Sequence, residues 1–450
     1  MYRLMFVQFL RNRTAIALLV LLTLTGTISL IMGKKFLAEQ QKAVAETTQY
    51  QKAHRDRLLR FENKEMGLLL YYLKFVYVNP ASPLSGLSIG QKDVNTSVQA
   101  PTIRGLEAQK YDTDIRNPYG LMAGNFDLGF VLLFLFPLVI IALCYNLYSE
   151  EKEKGTWPLL RVQYAGTTKY LLLKLSIPFL LVTGVQLVLY LLACGLLPLR
   201  ADRYFAGFML GNYLYTCSWF ALCLLAVSFR KSSSFTAIVL VSAWLLLNIV
   251  VPAAVNDYVT RKYPVPESLS VMLKQRDGYH KKWDIPRDST MALFFKQYPQ
   301  YAQYTWQQEG FNWLWYYAMQ HLGDAEAAHD AQLLAQKLQQ RERSARSISR
   351  FFPTLFTQLH NNELAQSHLG NYIQFLDSTT RFHEQLRQHF YPKIFTAAPV
   401  LQEQWDKYQP RYCNIKNQVK WYAGLYNGVF VLVLGAIALF RLMKYRKEHA

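Results

Sequence analysis

Along this chain apolar residues are not interleaved with polar ones at helical or strand spacing; they are gathered into blocks. Six blocks are long enough to cross a hydrocarbon core, which takes roughly 20 mostly apolar residues. They run Thr14–Met32, Leu128–Tyr148, 171–198 (densest from Leu175), Tyr204–Phe229, Phe235–Val255 and Trp421–Phe440. Their interiors are almost free of Asp, Glu, Lys and Arg. One such charge at a helix centre costs about 2.5–3.5 kcal/mol, against only about 0.3–0.6 kcal/mol gained per Leu or Ile. Lys174 stands at the start of the third block, where its stem can snorkel to the interface. Pro137 and Pro178 fall inside blocks and are tolerated in a spanning helix as kinks. An eleven-residue stretch, Leu68–Val78, is too short and carries Lys74, so it belongs to a folded polar region. The first block is longer than a signal-peptide core and is followed by GKKFLAEQ, so it reads as an uncleaved anchor.

Basic residues orient the blocks. Arg3, Arg11 and Arg13 precede the first, Arg230 and Lys231 join the fourth and fifth, and Arg441, Lys444, Arg446 and Lys447 follow the sixth. With six crossings all three clusters fall on one side, which the positive-inside rule makes cytoplasmic. Residues 1–13 then form an amphipathic helix on the inner interface, with Leu4, Met5, Phe9 and Leu10 on its apolar side. Residues 149–170 form a cytoplasmic segment, and 441–450 a cytoplasmic tail. Two long segments, 33–127 and 256–420, lie on the outer side. The first opens with a stretch lacking Pro and Gly up to Gly67, which extends the first helix outward; the second carries AEAAHDAQLLAQKLQQRERSARSISR, of strongly helical composition. The predicted fold is an all-α membrane protein with six transmembrane helices and a large, mostly helical extracytoplasmic head formed by two insertions.

Composition adds little to this picture. Mean hydropathy is only +0.02 because the apolar blocks are offset by polar segments. The formal charge of +19 fits basic membrane flanks better than nucleic-acid binding, since no basic 5–8-mer and no nucleic-acid-binding signature occurs. Four of the five cysteines lie in apolar blocks and Cys413 stands alone, so no disulfide framework is implied. His383 and His389 are six apart, and His360 with Glu363 is a single i,i+3 pair, short of the three or four ligands a metal requires. The aromatic run Trp306–Leu322 offers either a grip for an apolar ligand or, more simply, core packing.

Chemistry is scarce. Gly166-Thr167-Thr168-Lys169 lacks the upstream glycine of a phosphate-binding loop, and no GxSxG occurs. No charges sit deep in the membrane to serve as ion relays, so energy has to come from a partner. The informative stretch is the end of the second block. There Ser149–Lys154 places Glu150 and Lys154 at i,i+4, Gly155 stops the helix, and Thr156-Trp157-Pro158 turns the chain before Leu159-Leu160. Such a charged helix end is a protrusion suited to a groove on a soluble partner, or simply a solvated terminus.

Asn117-Pro118 with Gly124-x-x-Asp127, then Pro137-Leu138 leading to Tyr145-Asn146, then S-E-E-x-E-x-G-T at Ser149–Thr156 form a combined pattern. With Trp244 to Pro252 in the fifth block and SRFFPTLFTQL from Ser349 before His360, it resembles the bacterial ABC-2-type permeases, in particular those with a large outer insertion. The resemblance covers most of the chain and is most specific at the acidic element; Trp157-Pro158 departs from it. It implies a permease subunit that couples ATP hydrolysis in a separate ABC ATPase to export or to mechanical work outside. The ATPase contacts would be Glu150, Glu151, Glu153, Gly155 and Thr156. The implied partners are the cytoplasmic ATPase, which binds the ATP, a second permease subunit, identical or related, a periplasmic or outer-membrane protein, and membrane lipids. No cofactor and no catalytic residue are expected in this chain, and the implied location is the bacterial inner membrane. The competing expectation is a membrane-anchored sensor or scaffold whose head binds a partner without transport.

Overall fold

The computed structural model describes residues 2–110, 125–158, 160, 167–306, 309–415 and 418–448. Helix accounts for 77% of the structure and, among the described residues, strand for three two-residue pieces, so the protein is all-α. Among the described residues six helices are long and apolar enough to cross a membrane. They are α2 (Arg13–Phe61), α4 (Leu128–Glu153), α5 (Thr167–Leu196), α6 (Arg203–Ser228), α7 (Ser233–Lys262) and α13 (Trp421–Lys444). Ahead of them α1 (Tyr2–Arg11) leaves Leu4, Val7 and Leu10 exposed, and Asn12 then caps α2 by accepting from the amides of Thr14 and Ala15.

Helix α2 runs without a break from the apolar block into the polar region, 49 residues in all. Glycine permits its close approach to the Pro83–Gly86 turn: a Cβ on Gly33 would lie 1.9 Å from the Gly86 carbonyl oxygen.

Helix α4 shows how proline is accommodated. Pro137 supplies no N–H, which frees the Leu133 carbonyl one turn earlier, and residues Val131–Leu135 widen into a π turn. The Tyr215 hydroxyl of α6 donates to the Leu133 carbonyl at 2.9 Å, and Trp244 Nε1 of α7 donates to the Phe134 carbonyl at 3.0 Å. The freed carbonyls thereby stitch α4 to two neighbours inside an apolar bundle, where an unmet polar group costs several kcal/mol.

The head is assembled from residues of both long segments. It contains α3 (Met66–Tyr72), α8 (Glu267–Asp284), α9 (Arg287–Gln297), α10 (Trp313–Ser349), α11 (Pro353–Leu364) and α12 (Leu369–Phe395). The stretch Leu68–Val78 forms α3 and β1 (Tyr77–Val78) within the head core and crosses nothing. Strand β1 pairs antiparallel with β2 (Val98–Gln99) and parallel with β3 (Arg411–Tyr412), tying the two segments together. Within the aromatic run Leu314–Leu322 is buried, with Trp315 and Tyr317 fully so, and is core, whereas Phe311 is exposed.

Two histidines make the head acid-sensitive. Burial, reinforced by the Arg387 guanidinium, pushes His321 down to about 2. The same causes hold His383 well below the usual histidine range, although its Nε2 contacts the Thr102 carbonyl at 2.9 Å. Both stay neutral when folded, whereas the unfolded chain protonates them below about pH 6.5. The unfolded state then binds more protons, so stability is full above about pH 7 and falls as pH drops, by up to about 1.4 kcal/mol per unit for each histidine. Urea midpoints of head unfolding at about pH 7.5, 6 and 5 are expected to decrease in that order; a constant midpoint contradicts this account.

Helix α11 departs from a simple division into bundle and head. It is one arm of a hairpin, α10–turn–α11, lodged among the spanning-length helices. Its Thr354 meets the Tyr215 hydroxyl at 3.0 Å, and Asn361 and Asn212 of α6 exchange side-chain hydrogen bonds at 3.0 and 3.1 Å. Asn427 of α13 donates to Thr357 at 2.8 Å, while Leu355 packs against Val251, Val255 and Val259 of α7. Twelve residues cannot span a membrane, and the polar groups on α11 hid its membership of the bundle.

Candidate functional site

The acidic element is the last turn of α4, Ser149–Glu153. Its termination follows from Gly155, whose φ of +72° lies in the left-handed region open to glycine. The Gly155 amide bonds the Lys152 carbonyl at 3.2 Å, and the Thr156 amide bonds the Glu151 carbonyl at 3.0 Å. This pair closes the helix with a Schellman motif and reverses the chain sharply. Trp157 folds back onto Tyr148, ring centroids 4.5 Å apart and nearly perpendicular, and the Arg230 guanidinium lies 5.6 Å from the Tyr148 ring centroid. The unusual tryptophan therefore closes the turn against α4.

Each glutamate has a distinct set of partners. Glu150 accepts from Lys154 at 2.7 Å and from Lys174 at 3.2 Å. Glu151 accepts from Lys174 and the Tyr170 hydroxyl, both at 2.8 Å, and from the Thr156 hydroxyl at 2.6 Å. Glu153 accepts from the Ser233 amide at 3.0 Å and its hydroxyl at 2.9 Å, placing a carboxylate on the amino end of α7. Ser149 meets the same Ser233 hydroxyl at 2.6 Å. The turn is thus the meeting point of α4, α5 and α7, and a displacement of it has to move all three.

The five residues do not all face the same way. Glu150 and Glu151 are half-buried and turned toward α5, so they hold the turn rather than face outward. Exposed on the other side are Lys152, Glu153, Lys154, Gly155 and Thr156. Lys174 does not snorkel as a lone cation; it is the counter-ion of both glutamates. Lys174, Tyr170 and Ser233 were missed because they stand 19 to 84 residues from the groups they bind. The only hint was a lysine placed one turn inside an apolar block. Of the outer motif, Asp127 caps α4 by accepting from the Phe130 amide and also takes the Ile89 amide, each at 2.7 Å. Asn117, Pro118, Gly124, Leu159 and 161–166 lie outside the described residues.

His360 and Glu363 do converge, at 3.9 Å, but the third member is a cation, Arg346, 2.7 Å from Glu363. Among the described residues no group of three His, Cys, Asp or Glu is placed to hold a metal.

A family model described as a domain of unknown function (DUF3526) matches residues 269–412. That stretch runs from α8 to β3 and includes the hairpin but not the acidic turn. No curated protein and no solved structure matches the chain.

Proposed function

We propose that this chain is the permease subunit of an ABC transporter in the bacterial inner membrane. Six helices cross the bilayer, both termini are cytoplasmic and the head is outside. The observation that carries this reading is the acidic turn: a sharp, exposed protrusion at the helix end remote from the head, bonded behind to α5 and α7. Support for the orientation comes from the basic clusters, since Arg441 lies 4.0 Å over Phe229 beside the Arg230 loop, and α1 packs against α5 and α2.

In this mechanism a separate ATPase binds and hydrolyses ATP and presses on Lys152–Thr156. The ion pairs through Lys174 carry the stroke to α5, and the Glu153–Ser233 bonds carry it to α7. Helix α7 holds the α10–α11 hairpin through Val251, Val255 and Val259, so its tilt reaches the head, where substrate is gated or an outer partner is worked upon. A second permease, identical or related, completes the pathway.

The test combines recruitment with turnover. A Walker-A ATPase is expected to co-purify stoichiometrically with the full chain. The Glu150→Lys/Glu151→Lys/Glu153→Lys variant is expected to lose at least about tenfold in permease-stimulated ATP turnover. Lys152→Glu, exposed and outside the bonded network, reports docking without disturbing the turn and is expected to weaken co-purification. Unchanged recruitment and turnover in both variants removes the turn from coupling; no ATPase at all favours a scaffold.

A further inference from the structure

Arg343 and Arg346 on α10 and Arg350, which caps its carboxyl end, are spaced three and four residues apart, which sets them along one side of its last turns. That face looks into a cleft of about 620 Å³, whose other walls bring in His368 and Lys420. Two carboxylates are near. Glu363 takes Arg346 at 2.7 Å, and Glu342 lies 3.9 Å from His368. Arg343, Arg350 and Lys420 are exposed and have no acidic partner within 4.0 Å among the described residues. The cleft therefore holds more fixed positive charge than its own carboxylates neutralise. Its charged donors are mostly guanidinium groups, the side chain best matched to the paired oxygens of a phosphate.

Its position narrows the anion further. Lys420 immediately precedes Trp421, where α13 begins, and Arg350 immediately precedes Phe351, which is 75% exposed. Below Lys420, Tyr422, Leu425 and Val429 leave an apolar strip of α13 open, each about half exposed. A charged pocket bordered by a strip of lipid-facing side chains fits a molecule with an anionic head and acyl tails. A free phosphate would use the cations but leave the strip unused.

We propose that this cleft binds the phosphate group of an anionic glycerophospholipid, its acyl chains lying along α13. The site is separate from the acidic turn at the other end of the bundle and requires no ATPase, so it stands or falls apart from the permease reading.

Binding of a fluorescent phosphatidylglycerol to the full chain in maltoside micelles is the experiment. Saturable binding is expected, weakened about tenfold in Arg343→Gln/Arg350→Gln and also in Lys420→Gln. Affinity between that of the wild type and the double glutamine variant should remain in Arg343→Lys/Arg350→Lys, which keeps the charge but loses the paired donors. Lys34→Gln/Lys35→Gln, at exposed positions on α2, controls for bulk charge, and an equal loss there overturns the assignment. Phosphatidylcholine and millimolar inorganic phosphate are expected not to displace the probe. Full displacement by inorganic phosphate makes the cleft a small-anion site and overturns the lipid. So does displacement by an acidic peptide in a protein that phosphatidylglycerol itself does not saturate. Wild-type affinity in the double glutamine variant ends the proposal.

Discussion

Asp324→Ala is expected to destabilise the head by about 3–5 kcal/mol, because it strands a buried guanidinium. Arg387 bonds Asp324 at 2.7 Å and the Arg104 carbonyl at 2.9 Å, with the two side chains only 4% and 11% exposed. The same carboxylate receives the amides of Leu106 at 2.7 Å and Glu107 at 3.2 Å. One pair thus holds three pieces: the 103–107 loop of the first segment, α10 and α12. Swapping the pair for apolar residues of equal volume, which rescues some buried ion pairs, is not expected to do so here, since both amides would lose their acceptor. Resistance of the full chain to proteolysis in rising urea measures this, and a loss below about 1 kcal/mol would show the pair to be replaceable.

The second large effect belongs to Gly33→Ala. The added methyl would stand 1.9 Å from the Gly86 oxygen and 2.8 Å from its carbon, both backbone atoms that no rotamer change can clear. Helix α2 or the Pro83–Gly86 turn has to shift, at a cost of about 1–3 kcal/mol or more. Gly184 on α5 is the matched control, with nothing within 4 Å of its added methyl; alanine there is expected to be neutral or to gain about 0.5–1 kcal/mol from helix propensity. Thermal unfolding of the two variants in the same detergent separates them, and equal behaviour would mean that α2 is not seated as described.

The six long helices were legible because a spanning segment is defined locally, by length and absence of charge. The extension of α2 beyond its apolar block was legible for the same reason, since no Pro or Gly interrupts it after Gly33, although the helix stops at Phe61, short of Gly67. That both long segments build one mostly helical head was legible as well; how its pieces pack was not, because its decisive contacts are remote in sequence. Gln51 bonds the Tyr408 carbonyl, Arg55 the Trp405 carbonyl, and Asn79 the Asn371 side chain. No period or turn signal announces pairs so far apart. Helix α11 was hidden differently. His360, Asn361 and Glu363 give it the look of a polar outer helix, and only the complementary Asn212, Tyr215 and Asn427 show where it belongs. At the acidic turn, the helix end and its glycine stop were readable from residues 149–156. Which glutamates point inward depended on Lys174 and Ser233, beyond the reach of any local pattern.

The uninterrupted 49 residues of α2 make a rod about 74 Å long. Its upper part is clamped to residues 405–408 through Gln51 and Arg55. A rod without a joint cannot absorb a change of lean part-way along, so each degree of tilt at its foot swings the far tip sideways by roughly 1.3 Å. Whatever tilts the Arg13 end of α2 is therefore magnified, as by a long lever, at its Phe61 end.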